Sequence, residues 1–431
     1  MIRRGPGPVY ELVTLRNGLR LATALMPHMA SVSVGLWVRV GGRYESGELN
    51  GVSHFIEHLL FKGTRSRTAA EISQAVEGVG GYLNAWTSEE GTCFYARAAH
   101  DRFEELLEVL QDMLLDSKFS PLEIEKERGV IQEEVSMYLD QPHQYVQELL
   151  NAIQWSGHPL GRPVTGTAQS VARLSRRHLV GFHRQHYTVP NLLVTVAGNF
   201  ELGTVRRAAE RMARRCPSGS PATFAPVESF RKGPSVRLRR RAVDQTQLAL
   251  GIRTCSRHDD RRFALRMLNA LLGENMSSRL FQRVREEKGL AYSIYSSPSF
   301  FDDVGDLVIS AGLEEAKLRP VLGLVIEELR RLRRAPPPPG ELKRARDYLV
   351  GQMELSLEST ESQMTWLGEQ LQGYGRIFPP GLIKDALHRL SGTDIRAVAA
   401  DFLDPTRFHL ALVGPVSRVD DLPALLRRAA D

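Results

Sequence analysis

The sequence predicts an α+β protein built from a duplicated domain, and three observations carry that expectation. Alternating apolar stretches that read as strands are interleaved with longer segments of helical period. These elements recur in the same order in the two halves of the chain, and a Pro-, Ser- and Gly-rich break at residues 216–235 separates the halves. At 431 residues, 42% hydrophobic and 25% charged, the composition is that of a globular protein of two or three domains, which excludes a disordered or fibrous chain.

Each half opens with an alternating stretch, residues 32–40 and 246–252, of the kind half-buried strands show. A helix follows in both. Strand signals come next at 91–98 and 305–311, then helical periods at 102–115 and 315–332. A Pro-containing break at Ser120-Pro121 and at 336–339 precedes another long helix, starting near Glu123 and near Glu341. Both halves close on an apolar strand ending in a Gly turn, at Gly198 and Gly414, and the offset between these two glycines nearly equals that between Pro121 and Pro339. The expected organisation is a domain at 1–218, a linker at 219–234 and a related domain at 235–431.

No segment approaches the roughly 18 uninterrupted apolar residues that a membrane helix needs, and the first residues lack the apolar core of a secretory signal, so a cytoplasmic protein without membrane attachment is expected. Cys93, Cys216 and Cys255 stand far apart and form neither a disulfide framework nor a thiolate cage. Any metal must therefore be held by His and carboxylate. The net charge of +6 is unevenly spread, because residues 51–150 hold 8 Lys and Arg against 18 Asp and Glu. The basic excess elsewhere is mostly Arg on helix-like segments such as 329–334, without aromatic interleaving, which argues against nucleic acid as a partner.

The chemistry concentrates at Gly51-Val-Ser-His54-Phe-Ile-Glu57-His58-Leu-Leu-Phe-Lys-Gly63. Ser53 offers a helix start, Val52, Phe55, Ile56, Leu59 and Leu60 an apolar face, and Gly63 a stop. In a helix His54 and His58 lie one turn apart on one face, with Glu57 beside them. Two imidazoles so placed fill two corners of a tetrahedral zinc site, and a neighbouring carboxylate can take the proton of a water bound there. A random H-x-x-E-H is expected only about 0.025 times in a chain of this composition, so chance is a poor account of it. A third ligand is needed, and the acidic helix at 123–137 offers candidates. Glu127 and Glu134 are two helical turns apart on one face, with Val130 and Ile131 between them, whereas Glu123, Glu125 and Glu133 fall elsewhere.

H-x-x-E-H is the inverted zinc-peptidase signature. The flanking stretches GVSHFIEHLLFKGT, GGYLNAWTSEEGTCFYA and ERGVIQEEVSMYLDQP resemble the pitrilysin-type (M16) metallopeptidases, which include the beta subunit of mitochondrial processing peptidase and two-domain bacterial members. The resemblance runs from about Val13 to Val416. It implies two homologous sandwich-like domains, each a mostly antiparallel sheet packed with helices. It also implies one Zn2+ per chain held by His54, His58 and Glu134, with Glu57 as the base and Glu127 orienting a ligand; the interval from His58 to Glu134 matches that of the family's third ligand. In the second half, Arg285 and Tyr292 match the family's similarly spaced Arg and Tyr that hold the substrate carbonyl. Gly80 to Thr87 resembles the edge strand that pairs with substrate, giving Asn84 and Ala85 a substrate-binding role.

The resulting expectation is a zinc metalloendopeptidase that cleaves peptides or unfolded segments as a homodimer, or as a heterodimer with a related subunit. A catalytically silent scaffold of the same fold and a dedicated precursor-processing peptidase are the alternatives. The glycine-rich gating loop of the processing peptidase's other subunit has no evident counterpart here.

Overall fold

The computed structural model describes residues 8–228 and 232–429, so part of the expected linker at 219–234 lies outside the described residues. Its strands are β1 (Val9–Thr14), β2 (Arg20–Leu25), β3 (Ser31–Val38), β4 (Tyr82–Thr87), β5 (Thr92–Ala99), β6 (Leu192–Gly198), β7 (Ser235–Arg240), β8 (Thr246–Thr254), β9 (Ser293–Phe300), β10 (Gly305–Leu313) and β11 (Phe408–Gly414). Its helices are α1 (Val52–Leu60), α2 (Ala69–Glu77), α3 (Phe103–Asp116), α4 (Pro121–Asp140), α5 (Pro142–Gln154), α6 (Ala168–Arg173), α7 (Arg176–His186), α8 (Leu202–Ala213), α9 (Arg262–Leu272), α10 (Leu318–Arg334), α11 (Pro339–Ser356), α12 (Thr360–Tyr374), α13 (Pro380–Arg389), α14 (Gly392–Phe402) and α15 (Leu422–Arg427).

These elements form two compact units. The first takes the described residues of Met1–Ser136, Arg162–Ala225 and Leu355–Ile377; the second takes those of Met137–Gly161, Pro226–Glu354 and Phe378–Asp431. The sheet of the first unit has the order β1-β2-β6-β3-β5-β4, and that of the second β7-β11-β8-β10-β9. Neighbours are antiparallel except β2 with β6 and β7 with β11, which are parallel. Apart from β1, the two orders correspond strand for strand, including the position of the parallel pair. That is a duplicated α+β architecture with mostly antiparallel sheets.

The units do not follow one cut in the chain. Helix α12, from the second half of the sequence, covers one face of the first unit's sheet: Met364, Leu367 and Leu371 pack on Trp37, Cys93, Leu193 and Ala197. Helix α5, from the first half, does the same in the second unit, where Val146 and Leu150 pack on Ala249, Ala411 and Val413. In each unit the opposite face is also covered, by α3 in the first and by α9, α10 and α14 in the second. Burying each apolar side chain of α12 contributes on the order of 1.5–3 kcal/mol.

This double covering corrects the expectation of half-buried opening strands. In β3, Val32, Ser33, Val34, Leu36, Trp37 and Val38 are all buried. Trp37 Nε1 donates to Thr195 Oγ1 at 2.7 Å, and the backbone of α12 at Gly368 lies so close to the indole that an added methyl group would overlap the ring.

Candidate metal centre

Helix α1 begins at Val52, one residue before the expected start at Ser53, after Gly51 in the left-handed region at φ 93°. Its opening N–H groups are satisfied by a carboxylate from upstream. Glu45 Oε2 accepts from Gly51 N at 2.7 Å and Oε1 from Ser53 N at 2.8 Å, and Asn50 Nδ2 reaches Oε2 at 3.3 Å. Glu45 is fully buried, and desolvation outweighs these donors, pushing its pKa up to about 7. Val52, Phe55, Ile56, Leu59 and Leu60 are buried as the apolar pattern requires. The helix is thereby seated, and the rings of His54 and His58 stand 4.6 Å apart between centroids.

Helix α4 buries Ile124, Glu127, Ile131 and Val135, whereas Val130 is exposed, so the expected face turns by one position. Arg128 ties this helix at one point to the end of α6. Its guanidinium donates to Leu174 O at 2.9 Å and to Val171 O, at the end of α6. Glu134 is thereby carried to the histidines: its Oε2 lies 3.6 Å from His54 Nε2 and 3.6 Å from His58 Nε2.

Among the described residues, these three are the only group of His, Cys, Asp or Glu side chains whose donor atoms all lie within 4.8 Å of one another. A separation of 3.6 Å is too long for a hydrogen bond and close to the about 3.4 Å between two ligand atoms bonded to a tetrahedral zinc. Desolvation, and secondarily the charge of His58, lowers the His54 pKa to about 3, so its ring is neutral at pH 7, as a ligand must be. The donor set therefore fits zinc. His58 Nδ1 is 3.1 Å from Glu127 Oε2, and the other oxygen of Glu127 pairs with Lys62 Nζ at 2.9 Å. His54 Nδ1 is buried and has no hydrogen-bond partner among the described residues.

Glu57 stands beside this group. Burial raises its pKa, against a hydrogen bond from Thr87 and the field of His58, and Glu134 adds to the rise. Thr87 Oγ1 donates to Glu57 Oε2 at 2.5 Å.

Asn84 and Ala85 lie on β4, the outermost strand of its sheet. Asn84 is exposed; its Nδ2 donates to the Tyr82 hydroxyl at 2.6 Å, and its Oδ1 accepts from Ala85 N at 2.8 Å. Arg285 and Tyr292 belong to the second unit. Arg285 sits on a π-helical segment, Phe281–Glu287, whose wide turn sets its guanidinium 4.9 Å from the Phe281 ring and 5.8 Å from the Tyr292 ring. Tyr292 is 76% exposed.

Two residues at the centre escaped the sequence reading. Thr87 stands inside the quoted NAWTSEEGT stretch, but its partner lies 30 residues away and no spacing rule connects them. Glu45 lies well upstream of Ser53, outside the i, i+3 range of a capping box.

Comparison with known proteins agrees with this architecture. The Insulinase (Peptidase family M16) profile matches residues 20–168, and the Peptidase M16 inactive domain profile matches residues 173–349. A protein of Streptomyces coelicolor named as an uncharacterized zinc protease is 38% identical over 412 residues, covering 94% of this chain and 89% of its own. One of Bacillus subtilis with the same description is 36% identical over 404 residues, covering 93% and 97%. Among solved structures, a protease from Helicobacter pylori superposes with a TM-score of 0.88 at 22% identity, over 95% of this chain and all of that one, which shows a shared fold. These matches define the class, peptidase-type proteins of two related domains. The chain belongs to peptidase family M16.

Proposed function

We propose that this protein is a zinc-dependent endopeptidase acting on peptides or unfolded segments. The observation that carries the proposal is the approach of His54 Nε2 and His58 Nε2 to the same Glu134 oxygen, with the Glu57 carboxylate beside them. His54, His58 and Glu134 would hold the ion, one per chain, and Glu127 would orient the His58 ring. When bound there, zinc supplies Lewis acidity toward a water and a peptide carbonyl.

The protein's own groups do the rest. Glu57 takes a proton from the attacking water at the oxygen that Thr87 leaves free, and returns it to the leaving amine. The substrate runs along the free edge of β4 as an added strand, positioned by Asn84 and Ala85. Arg285 and Tyr292 offer a cation and a phenol to the peptide carbonyl and to the oxyanion it becomes. Because one chain carries both sets of residues, a homodimer is the economical assembly and needs no second gene product, whereas a heterodimer would pair this chain with a related subunit.

Mass-spectrometric mapping of cuts in a mixed peptide library, with and without a chelator, tests the proposal. Chelator-sensitive internal cuts are expected. A protein that carries no stoichiometric zinc and cuts nothing would instead be the catalytically silent scaffold of the same fold.

A further inference from the structure

We infer that Thr87 is a positioning residue for Glu57: its hydroxyl holds one carboxylate oxygen so that the other is presented to the attacking water. This rests on the reading of Glu57 as the proton-transferring group.

The direction of the hydrogen bond is fixed by donor arithmetic. A threonine hydroxyl has a single hydrogen, and an ionised carboxylate only accepts. Thr87 Oγ1 lies 2.5 Å from Glu57 Oε2, within the short range of O–H···O⁻ bonds. The Thr92 hydroxyl lies 3.4 Å from Thr87 Oγ1, and its hydrogen is engaged by Val40 O at 3.0 Å. The hydrogen of Thr87 is therefore free for Glu57. Among the described residues no other donor reaches this carboxylate, so its orientation depends on one hydroxyl.

The position of Thr87 in the fold gives the contact a second consequence. It is the last residue of β4 and, two positions beyond Ala85, projects to the same side of the strand. β4 is also the outer strand of its sheet, with one edge unpaired among the described residues. An extended peptide added to that edge would be aligned by the strand that fixes Glu57, so the register of the peptide and the aim of the carboxylate are set by one element.

A purely structural role for Thr87 predicts that shape matters; the positioning role predicts that the hydroxyl matters. In zinc-loaded protein, Thr87→Ser should keep kcat within about 3-fold of native. Thr87→Ala and Thr87→Val should lower it roughly 10–100-fold, with KM and zinc content nearly unchanged. In metal-free protein, the Glu57 carboxylate stretch, isolated by infrared difference against Glu57→Gln, should shift in Thr87→Val and not in Thr87→Ser. If Thr87→Val does not fold, the Ser and Ala variants, which differ by the hydroxyl alone, decide the matter. Equal kcat for those two overturns the inference. Native-rate hydrolysis by Glu57→Gln would overturn the reading of Glu57 along with it, whereas an inactive Glu57→Gln beside a fully active Thr87→Val overturns the role of Thr87 alone.

Discussion

Glu127 ties His58 to Lys62: one of its oxygens lies 3.1 Å from the His58 Nδ1 and the other 2.9 Å from the Nζ of Lys62, just past the end of α1. A carboxylate on that nitrogen leaves Nε2 as the lone-pair face of the ring and fixes the ring's rotation. Replacing Glu127 with Gln should weaken zinc affinity roughly 10–100-fold while the fold is kept. Competition with a chromophoric chelator measures this, and an unchanged affinity would show that Glu127 does not orient the ring.

Glu57 and the three candidate ligands are separable by mutation. Glu57→Gln should bind zinc like the native protein and lose hydrolysis by at least roughly 100-fold, because the amide cannot take a proton. Elemental analysis and a peptide-cleavage assay on the same preparation give both quantities. Cleavage at the native rate would show that another group moves the proton.

The Glu45 cap predicts a pH signature. Its carboxyl titrates near 7 in the folded chain, raised by burial from an ordinary 4.5. Between those values the folded chain holds a proton that the unfolded chain has lost, so this group's contribution is fully present below about pH 4.5 and is lost as pH rises through 7. The loss is on the order of 3 kcal/mol at most. His54, held down to about 3, works in the opposite direction between about pH 3 and 6.5, but it is common to native protein and variant. Urea unfolding of metal-free protein at pH 5 and pH 8, native against Glu45→Gln, isolates the Glu45 contribution. A difference between the two proteins that does not change with pH would contradict it.

Two glycines in neighbouring helices should respond in opposite ways to alanine. At Gly368 the added methyl overlaps the Trp37 ring, and the core must shift, at about 1–3 kcal/mol or more. At Gly351, in α11, no atom of the described residues stands within 4 Å of the added atom, and the helix should gain about 0.5–1 kcal/mol. Denaturant midpoints for the two variants check the sign of each. A Gly368→Ala protein as stable as the native one would mean that α12 does not lie on Trp37.

What the sequence reveals follows from distance along the chain. His54, Glu57 and His58 are legible because one helical turn brings them together and local periodicity marks the turn. Glu134 lies far along the chain on another helix, and residues alone left it among several glutamates; the family resemblance singled it out. The duplication is legible because element order survives divergence, and the matching sheet orders bear it out. The exchange of α5 and α12 is not legible, since amphipathic helices do not state which sheet they cover. The same blindness produced the half-buried reading of β3, whose second face is closed by α12, a helix from the other half of the sequence. Glu45 and Thr87 escaped because each acts through side-chain hydrogen bonds that obey no spacing rule.

Zinc titration of metal-free protein by calorimetry, native against Glu134→Gln, bears on the metal centre with the fewest intervening steps. One tight site per native chain is expected, with a large loss of affinity when that carboxylate is neutralised. Equal affinity in the two proteins, or no stoichiometric site in the native chain, would contradict the assignment of His54, His58 and Glu134 as the ligands.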